Sequence, residues 1–143
     1  MSTDNTAAKA LLDTWLSLWN GDLSLASEVA SDEFRLHSHM MDGSDSAAVK
    51  GVEGLTEYVR SGRSHTPDLR FSIEVPPLFD GDYVSVRWSA TGTYDGSFPG
   101  AKTPAGTVVT FTGTDTLRIQ DGKFVEYWLN ADGLHLVQQL QVG

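Results

Sequence analysis

The sequence predicts an α+β fold, with helices packed on one face of an antiparallel sheet. Two features lead there. Up to Arg60 the apolar residues recur mainly at three- and four-residue spacing, the period of amphipathic helices. From Leu69 onward the chain reads as runs rich in Val, Thr and aromatics with Asp-Gly turns between them, the signature of β-hairpins. Helices first and strands later is the α+β order. With no repeat or linker in 143 residues, one domain over 1–143 is expected.

Each element has a local reason. Leu11, Leu12, Trp15, Leu18 and Trp19 line one side of a first helix, which Thr3 or Asp4 would cap and "NGD" would end at Gly21. Asp22 opens a second short helix to about Ala30. "DEFRLHSHM" alternates Phe34 and Leu36 against Arg35, His37 and His39, as a strand does. After the polar "MDGSDSAAVKG", a third helix spans about Val52 to Arg60, with Val52, Leu55, Tyr58 and Val59 apolar. Four strands follow, "LRFSIEV", "YVSVRWSATGTY", "TVVTFTGTDTLRI" and "KFVEYWLNA". The Gly/Pro-rich "DGSFPGAKTPAG" is expected to break the meander.

Composition excludes several classes of function. Asp and Glu outnumber Lys and Arg by 19 to 10, a net charge of -9. Nucleic acid and anionic membrane surfaces are therefore not expected partners. With no cysteine there is no disulfide, thiolate metal site or thiol nucleophile. The start, "MSTDNTAAKALLDTW", lacks the basic and apolar regions of a signal peptide, and no run is long enough to span a bilayer. A soluble cytoplasmic protein is expected.

The last hairpin yields geometry. A two-residue turn at Asp121-Gly122 pairs Gln120 with Lys123, Leu117 with Glu126 and Asp115 with Trp128. Continued, Gly113 faces Asn130 and Phe111 faces Asp132. One face of the ribbon then carries Phe111, Asp115, Trp128, Asn130 and Asp132 together; a single bulge would switch the assignment beyond it. Asp132 lies where this strand meets a short helix, "GLHLVQQL". There it either caps the helix or serves as an acid/base. Two carboxylates on one inner face would repel, leaving one protonated near neutrality. His37 and His39 share a strand face, but the sequence supplies no further ligands at metal-binding spacing, so no metal is expected. No strand-to-helix G-x-G-x-x-G motif is present to bind a nucleotide.

In order and spacing, "WNGDL", "FRLH", "VKGVEGLTEYV", "PDLRFSIE", "DGDYVSVRWSATGTYDGSFPG" and "LRIQDGKFVEYWLNADGLHLVQQL" resemble the SnoaL-like polyketide cyclases of the nuclear transport factor 2-like superfamily. The resemblance implies a cone-shaped sheet with helices enclosing an apolar cavity, often dimeric through the sheet. It also implies cofactor-free aldol closure of a small apolar or polycyclic polyketide by an acid/base aspartate. The aspartate of "EYWLNAD" matches, giving that role to Asp132, with His37 or protonated Asp115 as proton donor. Trp15, Trp19, His39, Trp88, Tyr94, Phe98, Phe111, Trp128 and Asn130 would line the pocket, although such aromatics serve equally well as plain core. Tyr94 stands where many relatives have His, and the strand before the last hairpin offers Asp115 and Arg118 in place of the histidine of characterised cyclases. The fold also hosts epoxide-hydrolase-like and isomerase-like members. A binding or dimerisation module with a vestigial pocket is a third reading.

Overall fold

The computed structural model describes residues 5–39 and 45–142. Helix α1 (Asn5–Trp19) buries Ala8, Leu12, Trp15, Leu18 and Trp19, the apolar stripe of the sequence. Gly21 (φ +119°) ends it in a conformation that favours glycine. The caps Thr3 and Asp4 lie outside the described residues. The expected second helix is a 3-10 turn (Leu23–Leu25) running into one turn of helix, α2 (Ala26–Val29). Strand β1 (Ala30–Leu36) follows, and α3 (Gly51–Gly62) packs Leu55 and Val59 inward.

Strands β2 (Arg70–Asp80), β3 (Tyr83–Thr93), β4 (Val108–Gln120) and β5 (Lys123–Ala131) complete an open, curved sheet in the order β1-β5-β4-β3-β2. Helix α4 (Gly133–Gln139) closes the chain. The sheet is antiparallel except at β1, which joins β5 in parallel. The Gly/Pro segment does not interrupt the meander: β3 and β4 pair from Tyr83↔Arg118 to Thr93↔Val108, and the loop simply bridges their ends. Tyr94 holds that loop closed, its N–H bonding Thr107 and its carbonyl accepting from Gly106.

The histidine strand is shorter than its alternation suggests. β1 stops at Leu36 because Ser38 takes over the pairing with its side chain, donating to the Leu129 carbonyl and accepting the Leu129 N–H, each at 2.9 Å. His37 and His39 therefore lie beyond the strand.

The last hairpin corrects the predicted register. Asp121 (φ 53°) and Gly122 (φ 78°) form the two-residue turn, and Gln120 pairs with Lys123 and Ile119 with Phe124. Val125 is then an extra residue: the next pairs are Arg118↔Glu126, Leu117↔Tyr127, Asp115↔Leu129 and Gly113↔Ala131. This bulge exchanges the faces of β5 beyond it. Tyr127 and Leu129 now share the concave face with Asp115. Trp128 and Asn130 pair instead with Thr116 and Thr114 on the convex face, and Asp132 follows them there beside Thr112.

Candidate active site

Helices α1 and α3, the concave face of the sheet and α4 surround an open-mouthed cavity of about 1520 Å³. Its inner wall is aromatic: Trp19, Tyr58, Phe71, Trp88, Phe111 and Tyr127. The rings contact edge-to-face, Trp19 against Phe71 at 5.5 Å, Phe71 against Trp88 at 5.0 Å and Trp88 against Phe111 at 5.6 Å. Such contacts hold a shaped wall in place.

Set into this aromatic wall is the carboxylate of Asp115, only 3 % exposed. Three neutral donors hold it. Trp88 Nε1–H (3.0 Å) and the Tyr127 hydroxyl (2.9 Å) both donate to Oδ1, and Trp15 Nε1–H donates to Oδ2 at 3.0 Å. Oδ2 thus keeps unused acceptor capacity. No cation pairs with Asp115 among the described residues. Burial pushes its pKa up to about 6, against the opposing pull of the three hydrogen bonds. That value is low enough to leave a carboxylate at neutral pH and high enough to make it a useful proton acceptor.

The position depends on two small features of the sequence. Alternation along β4 buries Gly113, Asp115, Leu117 and Ile119. Gly113 leaves room for Trp88: a Cβ there would come within 2.3 Å of the indole ring, so only glycine lets Trp88 lie flat enough to reach Asp115.

Asp132 is placed differently. It is exposed and absent from the cavity lining. Its carboxylate makes no capping bond to α4 but accepts the Thr112 hydroxyl at 2.5 Å, and Thr112 in turn accepts from Arg87 Nη2 at 3.0 Å. Arg87, which also pairs with Glu74, belongs to this convex network.

The other predicted site residues divide by position. Trp19, Trp88, Tyr94, Phe98 and Phe111 line the cavity. So do His37, His39, Trp128 and Asn130, nearer its mouth, of which Trp128 is half-buried and the others exposed. His37 stacks on Trp128 with ring centres 5.2 Å apart and bonds Glu126 at 3.0 Å, away from Asp115. Trp15 does not line the cavity; it is fully buried behind Asp115 and supports it as a donor. Among the described residues no three His, Asp or Glu side chains gather as a metal site, and no helix is long and apolar enough to cross a membrane.

Two residues escaped the sequence reading. The two-residue-turn register leaves Tyr127 off the face of Asp115, and the bulge brings it there; Tyr58 reads in the sequence only as part of the apolar stripe of α3. Both phenols titrate above their ordinary range. Tyr58 is pushed up to about 12 by burial and by the negative charge of Asp115, and Tyr127 is raised well above the ordinary tyrosine value by burial, by the charge of Asp115 and by its hydrogen bond to that carboxylate.

The family model of SnoaL-like polyketide cyclases matches residues 7–140. No curated protein sequence matches the chain. Among solved structures it is similar to TsrD from Streptomyces laurentii, with 26% identity, coverage of 96% of this chain and 97% of that one, and a TM-score of 0.80. It is also similar to a candidate polyketide cyclase from Bacillus cereus, at 27% identity, 93% and 80% coverage and a TM-score of 0.75. A Catenulispora acidiphila protein with a ketosteroid isomerase-like fold shares the architecture at 14% identity, covering 93% of each chain with a TM-score of 0.72.

Proposed function

The chain belongs to the SnoaL-like polyketide cyclase family, and on that premise we propose that it is a cofactor-independent acid/base enzyme for a small, largely apolar carbonyl compound, with intramolecular aldol closure as the reaction. One observation carries the reading: an unpaired carboxylate, Asp115, set in the aromatic wall of a large cavity. Oδ2 of Asp115 removes a proton from an activated methylene, and the electron pair moves onto the neighbouring carbonyl oxygen. The resulting enolate carbon attacks a second carbonyl of the same molecule. The new alkoxide recovers the proton from Asp115, so the carboxylate is regenerated. Proton transfer by a positioned base accounts for about 10²–10⁴-fold of rate, and a cavity that keeps the chain folded adds the advantage of proximity.

The family resemblance gives the base role to Asp132. Its exposed position on the convex side favours Asp115 instead, and one assay separates the two. In D₂O the benzylic α-hydrogens of 2-tetralone, a compact bicyclic ketone, exchange for deuterium in a way NMR follows directly. The wild-type protein is expected to accelerate this exchange, Asp115→Asn to lose the acceleration, and Asp132→Asn to keep it. Retained acceleration in Asp115→Asn with loss in Asp132→Asn would return the role to Asp132; no acceleration by the wild type would sink both.

The same resemblance implies a homodimer through the sheet. Leu78 (71 % exposed) and Tyr83 (46 % exposed) lie on that side of β2 and β3 and are available to such a contact. A monomer mass by light scattering at micromolar protein would dismiss it.

A further inference from the structure

If Asp115 is the base, the negative charge it creates on the substrate oxygen must be received by a donor, and none of Asp115's own partners is free to do so. Trp15, Trp88 and Tyr127 already spend their N–H or O–H groups on the carboxylate. The donor must come from another polar group of the inner wall.

Tyr58 is the one that fits. It projects from the apolar stripe of α3 and lines the cavity. Its ring is fixed edge-on to Trp19, centroids 5.8 Å apart and planes at 90°. Among the described residues its hydroxyl has no hydrogen-bond partner, and burial, with the charge of Asp115 adding to it, holds its proton on. Trp19, beside it, also has a buried indole N–H with no acceptor. This wall thus combines unused donors with one acceptor-only carboxylate. Of the two, the Trp19 N–H is the fully buried one, where a missing partner is costly, and Tyr58 is half-buried with its ring lining the cavity that a ligand would enter. A ligand with an acceptor oxygen next to an acidic C–H satisfies both sides at once.

We propose that the Tyr58 hydroxyl donates the hydrogen bond that holds the substrate carbonyl oxygen and stabilises it as an enolate, in the cavity that it lines together with Asp115. This deepens the reading of Asp115 as base and rests on it. The phenol keeps its proton throughout: the proton leaving carbon goes to Asp115, the electron pair goes to the carbonyl oxygen, and Tyr58 only strengthens its bond as that oxygen becomes negative. The bond thereby discriminates in favour of ketones over hydrocarbons of the same shape, and in favour of the transition state over the ketone.

The test needs no turnover. Affinities of 2-tetralone and of tetralin, its oxygen-free counterpart, are measured for the wild type and Tyr58→Phe, together with the infrared carbonyl stretch of bound 2-tetralone. Loss of one donor to the oxygen is expected to weaken 2-tetralone about tenfold and leave tetralin unchanged. The carbonyl band, shifted to lower frequency in the wild type, is expected to return toward its apolar-solvent position in the variant. Equal weakening of both ligands, or of neither, would overturn the proposal, as would an unmoved carbonyl band or a wild type that binds the two alike. Because binding and the carbonyl band do not require proton removal, a failure of Asp115 is seen separately, as deuterium exchange that survives Asp115→Asn. Tyr58→Phe is expected to slow that exchange at saturating 2-tetralone as well, whereas a purely structural role would leave the saturated rate alone.

Discussion

On the concave side of the β4–β5 ribbon, Asp115 is enclosed by two indoles and a phenol. On the convex side, at the end of the same ribbon, Asp132 rests on a threonine hydroxyl in an exposed position. Both are aspartates on strand-like sequence, separated by one hairpin. What divides them is a single extra residue, Val125, which turns the far half of β5 over. Chemistry follows from that turn: burial lifts one carboxylate to about 6, and the other remains part of a surface network with Arg87. The side chain that acts is decided by backbone register as much as by residue type.

The largest effect expected from this contrast is catalytic. Asp115→Asn removes the base; its one amide oxygen can still accept from Trp88 and Tyr127, while Trp15 Nε1–H loses its acceptor, and deuterium exchange into 2-tetralone should fall by roughly 10²–10³-fold. Circular dichroism and the unfolding midpoint establish that the variant is folded. Exchange that stays within a few-fold of wild type would remove Asp115 from the mechanism.

The next effect is on stability and has a sign opposite to the common carboxylate case. The pKa of Asp115 is raised in the folded protein, from 3.8 to about 6, so the native state binds more protons than the unfolded chain within that window. Its contribution is complete below about pH 4 and is lost as pH rises through about 6, a change of roughly 3 kcal/mol at 1.36 kcal/mol per unit. Urea unfolding of the wild type and Asp115→Asn across pH 4 to 7 isolates the term. The difference between the two should change with pH in this interval and be flat above it; a constant difference would mean that Asp115 has an ordinary pKa.

How much of this was legible beforehand follows the same division. The amphipathic stripe of α1, the Asp-Gly turn and the alternation of β4 depend on near neighbours, and each places its residues as the sequence suggests. The bulge at Val125 has no such local mark. It arises where β5 is paired on both sides, with β4 in antiparallel and β1 in parallel, and β1 also changes register between Ala30 and Arg35. Trp128, Asn130 and Asp132 therefore fall on the opposite face of the ribbon from Asp115, although Trp128 and Asn130 still line the cavity, and Tyr127 takes the place beside Asp115. Trp15 was recognised as a large apolar residue, but its use of Nε1 toward a residue 100 positions away is a tertiary fact. Asp115 was legible as a strand carboxylate on an otherwise apolar alternation; its three donors were not.

Gly113 gives a third way to disturb the concave side, this time without touching the carboxylate. In Gly113→Ala the new methyl would lie 2.3 to 2.9 Å from three atoms of the Trp88 ring. The indole cannot swing away without giving up its bond to Asp115. Overpacking of this kind costs about 1–3 kcal/mol, and the upper end is expected here because the ring is also packed against Phe71 and Phe111. The denaturation midpoint should drop with an unchanged slope. A midpoint equal to wild type would mean that Trp88 has another place to go.

The smallest effect belongs to the convex carboxylate, and its smallness is the informative part. Asp132→Asn keeps an oxygen for the Thr112 hydroxyl and leaves the backbone bonds of the strand–helix junction intact, Asp132 N–H to Thr112 and Leu136 N–H to Asp132. With no capping bond from its side chain to lose, the variant should unfold within about 0.5 kcal/mol of wild type, as surface substitutions usually do. Exchange into 2-tetralone should change by no more than about twofold, since the group is separated from the cavity by the sheet itself. A loss comparable to that of Asp115→Asn would require Asp132 to leave Thr112 and reach the cavity around the end of β5. Repeating the measurement in Thr112→Val would expose that movement: releasing the carboxylate from its donor would then raise the exchange rate, whereas a carboxylate with no part in the chemistry would leave it unchanged.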